Sequence, residues 1–217
     1  MTSNLKDPVS GLTHLLGALL SSAGLALLVT LAAFQATTWH VVSFSVYGSS
    51  MILLYATSAL YHLLPLSAKG TRMFRTLDHI MIYLFIAGTY TPICLAPLRG
   101  AWGWSILGVV WGLAVGGLFF KLFWLEAPRW ISTGIYLLMG WTCLAAIYPL
   151  VLKIPSGGLF WLVLGGLFYT VGGVIYGLKR PDPVPGVFGF HEIFHLLVMA
   201  GSFCHFWMML RYILYLS

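Results

Sequence analysis

The twenty residues 101-AWGWSILGVVWGLAVGGLFF-120 carry no acidic or basic side chain. About 20 apolar residues are what an α-helix needs to cross the hydrocarbon core of a bilayer. The rest of the chain agrees with that reading. Of its 217 residues, 60% are hydrophobic, 16% aromatic and only 7% charged, against roughly a quarter charged in a soluble domain. The solvent for most of this surface must therefore be lipid, and the chain reads as an integral membrane protein. The net charge of +6 is no nucleic-acid footprint, because the basic residues stand singly between apolar runs. They read instead as topology signals. Cys94, Cys143 and Cys204 lie far apart, in or beside apolar segments, without C-x-x-C or Cys/His finger spacing. They are expected to be small packing residues.

Outward from that stretch, seven segments are long and apolar enough to span: roughly 12–34, 41–64, 77–97, 101–120, 130–151, 157–178 and 188–214. Turn or charge signals separate them, as in 65-PLSAKGTR-72, 153-KIPSGG-158 and 179-KRPDPVPG-186. The expectation is an all-α, seven-transmembrane helix bundle, one domain over residues 1–217. Lys6 before an apolar run resembles a signal peptide. That run is about 20 residues, beyond the roughly 7–15 of a signal core, so the first span is expected to be retained.

Lysine and arginine give the direction. Lys6, Lys69, Arg72, Arg75, Lys121, Arg129, Lys179 and Arg180 fall on one side, and only Arg99, Lys153 and Arg211 on the other. This asymmetry predicts a cytoplasmic N-terminus and an external C-terminus. Gly108, Gly112 and Gly116 form a small-residue ridge on the fourth span, and Gly173 and Gly177 repeat the spacing on the sixth. Such ridges let helices approach closely. Packing inside the bundle is the expected use, with a homodimer interface as the alternative.

Ionisable side chains within a membrane are costly, so each is a functional candidate. Ser58 and His62 fall in the last turns of span two, Asp78 opens span three, and His191 and His195 fall in the first turns of span seven. Alternating span direction brings all of these to one depth, near the cytoplasmic face. Residues four apart share a helix face, so His191 and His195 can bind one ion. His62 would add a third nitrogen and leave one position for water, the open geometry of a catalytic zinc. Asp78 could bind the metal or act as general base, and Ser58 could hold the water or a developing oxyanion.

The stretch 188-FGFHEIFHLL-197 also contains H-E-x-x-H, the zinc-protease signature, in His191, Glu192 and His195. Nothing acidic follows Glu192, and the only later histidine, His205, lies about 15 Å deeper. A third ligand must come from upstream, from His62 or Asp78, so the context of the protease motif fails. Glu192 is expected to face water or to hydrogen-bond near the site. His14, near the cytoplasmic end of span one, is a candidate hydrogen-bond partner behind a ligand, or a substitute ligand. His79 points about 100° away from Asp78 and is not expected in the site. His205 reads as a buried packing residue, and His40 lies on the outer side.

With S-x-x-x-H on span two, Asp at the start of span three and H-x-x-x-H on span seven, the chain resembles the progestin and adipoQ receptor/hemolysin III family, on its bacterial branch. The stretches 7-DPVSGLTH-14, 77-LDHIMIYLFIAGTYTP-92 and 201-GSFCHF-206 share the likeness, which runs over the whole chain. The resemblance implies a seven-helix bundle with its N-terminus inside, and zinc held by His62, His191 and His195. It implies that Asp78 hydrogen-bonds the zinc-bound water, with Ser58 as a nearby polar partner. The wider superfamily includes lipid-amide hydrolases, its adiponectin-receptor members are linked to ceramide hydrolysis, and bacterial members are associated with membrane-lipid and fluidity homeostasis. The hemolysin name comes from reported cytolytic activity.

The expectation is a zinc-dependent hydrolase of a membrane-lipid amide or ester, multi-pass in a bacterial inner or plasma membrane. The rivals are a sensor or regulator with structural zinc, and a pore-forming cytolysin. Against the last, the spans carry no regular polar stripe along their length.

Overall fold

The computed structural model describes residues 6–216. Among these, seven helical spans are long and apolar enough to cross a membrane. The first four are α1 (Pro8–Gln35), α2 (Thr38–Leu63), α3 (Ala68–Leu95) and α4 (Ala101–Phe123). The fifth is composite: α5 (Arg129–Gly140), a 3₁₀ segment (Trp141–Ala146) and α6 (Ile147–Lys153). The sixth is α7 (Ser156–Leu178). The seventh is α8 (Phe190–Arg211), followed by a short 3₁₀ turn (Ile213–Tyr215). Sequential neighbours pack together from α1 to α4, α7 packs on both α5 and α8, and α8 returns to α1. The most enclosed spans are α2, α3 and α8, the same three that carry the polar candidates.

Two boundaries depart from the sequence reading. The third span begins at Ala68 instead of near 77. Its hydropathy is low there because Lys69, Arg72 and Arg75 are charged, but charge does not stop a helix. Ser67 caps the start, its Oγ accepting from the Gly70 amide at 3.3 Å. Arg75 then makes a paired contact with Glu126, at 2.9 and 3.3 Å, tying the base of α3 to the α4–α5 connection. The fifth span, expected as one helix, changes to 3₁₀ geometry at Trp141. The Tyr90 hydroxyl of α3 donates to the carbonyls of Gly140 and Met139 and accepts from the Cys143 amide at 2.9 Å. Irregular backbone at membrane depth is tolerated where such partners satisfy it.

Helix faces are set by small residues. The buried stripe of α1 runs Ser10, Gly11, His14, Gly17, Ser21, Gly24, Leu28 and Ala32. A Cβ at Gly17 would sit 3.0 Å from the Tyr55 ring, and one at Gly24 3.0 Å from Phe206. The first span therefore lies close against both α2 and α8. The ridge of α4 does the opposite of what was expected. A Cβ at Gly108, Gly112 or Gly116 would meet nothing within 4 Å, so the ridge faces away from the bundle. The inward face of α4 is Gly103, Ile106, Val110, Ala114, Gly117 and Lys121. That register is fixed partly by Lys121, whose Nζ donates to Ser132 Oγ at 2.6 Å. On α7, Gly173 is packed against Leu137 and Thr133 of α5, whereas Gly177 is open.

This pattern gives a paired test. Gly48→Val would drive a side chain into Leu25, which already lies 2.6 Å from an ideal Cβ. It is expected to cost about 1–3 kcal/mol, as overpacking does. Gly112→Val should leave the thermal unfolding midpoint unchanged. Tryptophan fluorescence during heating in detergent reads both variants.

Candidate metal centre

The centre is built from α1, α2 and α8, where the end of α2 meets the starts of α1 and α8. One ligand nitrogen from each of His62, His191 and His195 lies within 4.8 Å of the other two. The Nε2 atoms of His62 and His191 are 3.2 Å apart. Two nitrogens each about 2.05 Å from one tetrahedral ion would be about 3.3 Å apart, so this spacing fits a metal between them. His62 and His195 are buried, at 3% and 2% exposure. His191 is more open and borders a cavity of about 300 Å³, also lined by Asp7, Asp182, Phe190 and Glu192.

The chemistry of the donor set sharpens the fit. His62 Nδ1 faces Asp7 Oδ2 at 3.1 Å, and a carboxylate there can only accept. His195 Nδ1 faces the Ser10 carbonyl at 3.2 Å, which likewise only accepts. Each contact requires a proton on Nδ1 and leaves the Nε2 lone pair free. Metal-binding histidines are ordinarily fixed in this way by an acceptor behind the ring. Asp7 immediately precedes α1 and Ser10 lies in its first turn, and the Asp7 amide also donates to the His62 carbonyl at 2.9 Å.

Sequence reasoning missed Asp7 and Ser10 as partners. A signal was present: Asp7 stands at the cap of α1, and Ser10 and His14 follow it at the i+3 and i+7 spacing of one helix face. A backbone carbonyl such as that of Ser10, however, leaves no trace in residue type.

Glu192 has a definite place. Its Oε2 accepts from the Gly189 amide at 2.8 Å and its Oε1 from the Ser10 hydroxyl at 2.7 Å. It caps α8 and ties that helix to α1. With both oxygens engaged, the carboxylate is a brace, not the base of an H-E-x-x-H protease.

The remaining candidates separate. Asp78 does not join the three histidines in the metal-capable group among the described residues. Among the described residues, the basic nitrogen within 4 Å of its carboxylate is His79 Nδ1, at 4.0 Å. Ser58 is buried one turn before His62 on α2. His79 donates from Nδ1 to the Arg75 carbonyl at 2.6 Å and is not among the grouped histidines. His205 donates from Nδ1 to the Gly201 carbonyl at 2.9 Å and stacks on Tyr169. At the opposite end, His40 Nε2 lies 3.1 Å from the Ile213 carbonyl and joins α2 to the chain after α8.

These features define a multi-pass helical membrane protein with a three-histidine cluster able to hold a metal ion. The chain matches the family model described as Haemolysin-III related over residues 2–206. It is 40% identical to the hemolysin-3 homolog of Bacillus subtilis (strain 168) over 208 residues, which cover 95% of this chain and 94% of that protein. It is also 40% identical to hemolysin-3 of Bacillus cereus over 215 residues, covering 99% and 95%. A more distant likeness, 27% over 183 residues, covers 81% of this chain and 72% of the monocyte to macrophage differentiation factor of Homo sapiens. The chain belongs to the haemolysin-III-related family.

Two substitutions separate support from ligation. Asp7→Asn should keep the fold but lower metal affinity about 10- to 100-fold, read by competition with a chromophoric chelator. Glu192→Gln keeps one oxygen to accept from the Gly189 amide and reverses the Ser10 contact, its amide donating to Ser10 Oγ, and should retain full metal content. Loss of the metal in Glu192→Gln would contradict the bracing role.

Proposed function

We propose that the protein is a zinc-dependent hydrolase of an acyl amide or ester in a membrane lipid, ceramide-like substrates included. It would serve lipid or fluidity homeostasis in a bacterial inner or plasma membrane. The observation that carries the reading is the pair of α1 acceptors that leave the Nε2 atoms of His62 and His195 free, beside His191. In this reading the basic end of the bundle, where the cluster lies, faces the cytoplasm, following the excess of lysine and arginine there.

When bound, the ion supplies Lewis acidity: it makes water a competent nucleophile near neutral pH and polarises a carbonyl. Asp78, partly buried at its place on α3, takes the proton. Ser58 holds the developing negative charge from its place one turn before His62. The cavity beside His191 gives the polar half of the substrate and its leaving group a route to water. The acyl chain lies among the apolar faces of the helices.

A closed structural site would take four protein ligands. The group found among the described residues has three, which favours an open, reactive centre over a clamp.

The test begins with metal content by mass spectrometry on protein purified without chelator. About one zinc per chain is expected in wild type and none in His191→Ala/His195→Ala. Asp78→Asn should keep most of the zinc and lose about 10²- to 10⁴-fold in hydrolysis of a fluorogenic acyl amide. Wild type without metal would sink the reading, and an Asp78→Asn variant of full activity would remove the proposed base.

A further inference from the structure

His14 is the ring in this cluster that the centre does not yet use. It is 3% exposed, and neither Nδ1 nor Nε2 has a hydrogen-bond partner among the described residues. Buried polar groups are nearly always paired, so an orphaned imidazole needs an explanation. The ring is also held in place. It stacks on His195 with centroids 3.6 Å apart and planes 7° from parallel. Tyr55 meets it edge-on at 4.9 Å. Tyr55 is anchored in turn, its hydroxyl donating to Ser202 Oγ at 2.7 Å, with Tyr169 on the same Oγ at 3.0 Å.

This geometry argues against direct ligation. An imidazole lone pair lies in the plane of its ring, so an ion bound by His195 lies in the His195 plane. The parallel His14 plane, one stacking layer away, does not contain that point. The nitrogens of His14, lying in that parallel plane, are left to bind a group other than the ion. A neutral imidazole can donate from one nitrogen and accept at the other.

We infer that His14 is a substrate-binding residue, hydrogen-bonding the acyl oxygen of a carbonyl substrate or carboxylate product held beside the three-histidine centre. The inference rests on the metal-centred reading above and adds to it a residue that recognises the acyl group.

The test uses the full chain loaded with cobalt, whose visible bands report both occupancy and the arrival of an added carboxylate. Acetate is the probe. His14→Phe keeps a stacking ring and removes both nitrogens. It should bind as much cobalt as wild type and lose at least tenfold in acetate affinity, the scale of one charge-assisted hydrogen bond. His14→Gln, which restores a donor, should recover most of that loss. Acetate affinity within twofold of wild type in His14→Phe would overturn the inference. So would loss of cobalt from a folded His14→Phe, since the ring would then be supporting the ligands. If His14→Phe does not fold, His14→Leu takes its place, and failure of both would assign His14 a structural role instead. Wild type that binds no cobalt would remove the metal-centred reading itself, a separate result.

Discussion

The arrangement depends on two acceptors at the start of α1, the Asp7 carboxylate and the Ser10 carbonyl, placed behind histidines from two other helices. An imidazole buried in an apolar bundle must find a partner for its N–H or lose the free energy of that bond. Supplying the partner at Nδ1 settles the tautomer and leaves Nε2 free. Doing so for His62 on α2 and His195 on α8 together requires α1 to lie against both. The glycines of its inner face follow from that demand, since a larger side chain at Gly17 or Gly24 would push α1 off Tyr55 or Phe206. Local chemistry at the centre and helix packing over the length of α1 are thus one constraint.

The same constraint favours a cation between the histidines. Two lone pairs directed from opposite helices into one small volume repel each other unless something positive or a donor lies between them. His191 can donate one proton to His62 across their 3.2 Å contact, but it has no second proton on that nitrogen to serve His195. A cation accepts from all three at once. The approach of these nitrogens to within 4.8 Å of one another is what a tetrahedral ion would draw together.

Much of this was legible in the sequence, for a simple reason. Lipid demands about 20 apolar residues per crossing, so the number and approximate place of the spans follow from hydropathy. Alternating direction then sorts side chains by depth, which brings His62, His191 and His195 to one level from span order alone. What stayed hidden depends on direction around a helix or on backbone atoms. The i, i+4 spacing of Gly108, Gly112 and Gly116 marks a face of α4, but the other face also offers small residues, Gly103, Ala114 and Gly117, and together with Lys121 bonded to Ser132 it is the one that packs inward. The early start of α3 was masked by charges that a helix carries without difficulty once it has left the lipid. The break in the fifth span depends on Tyr90, about 50 residues away in sequence and invisible to any local pattern.

The H-E-x-x-H stretch shows how position along a helix decides what a motif means. Glu192 is the third residue of α8, within the first turn, where backbone amides have no partner inside the helix. A carboxylate there is drawn back to the Gly189 amide and gains from the positive end of the helix dipole. The same letters several turns further on would meet amides already bonded within the helix, and the glutamate would be free to turn toward a metal-bound nucleophile. Residue type and spacing are alike in the two cases; the free amides are not. For α8, Glu192 is captured by its own helix end and by Ser10, so in the hydrolase reading proposed above the proton-handling role falls to a residue from a different helix, and Asp78 on α3 is the candidate.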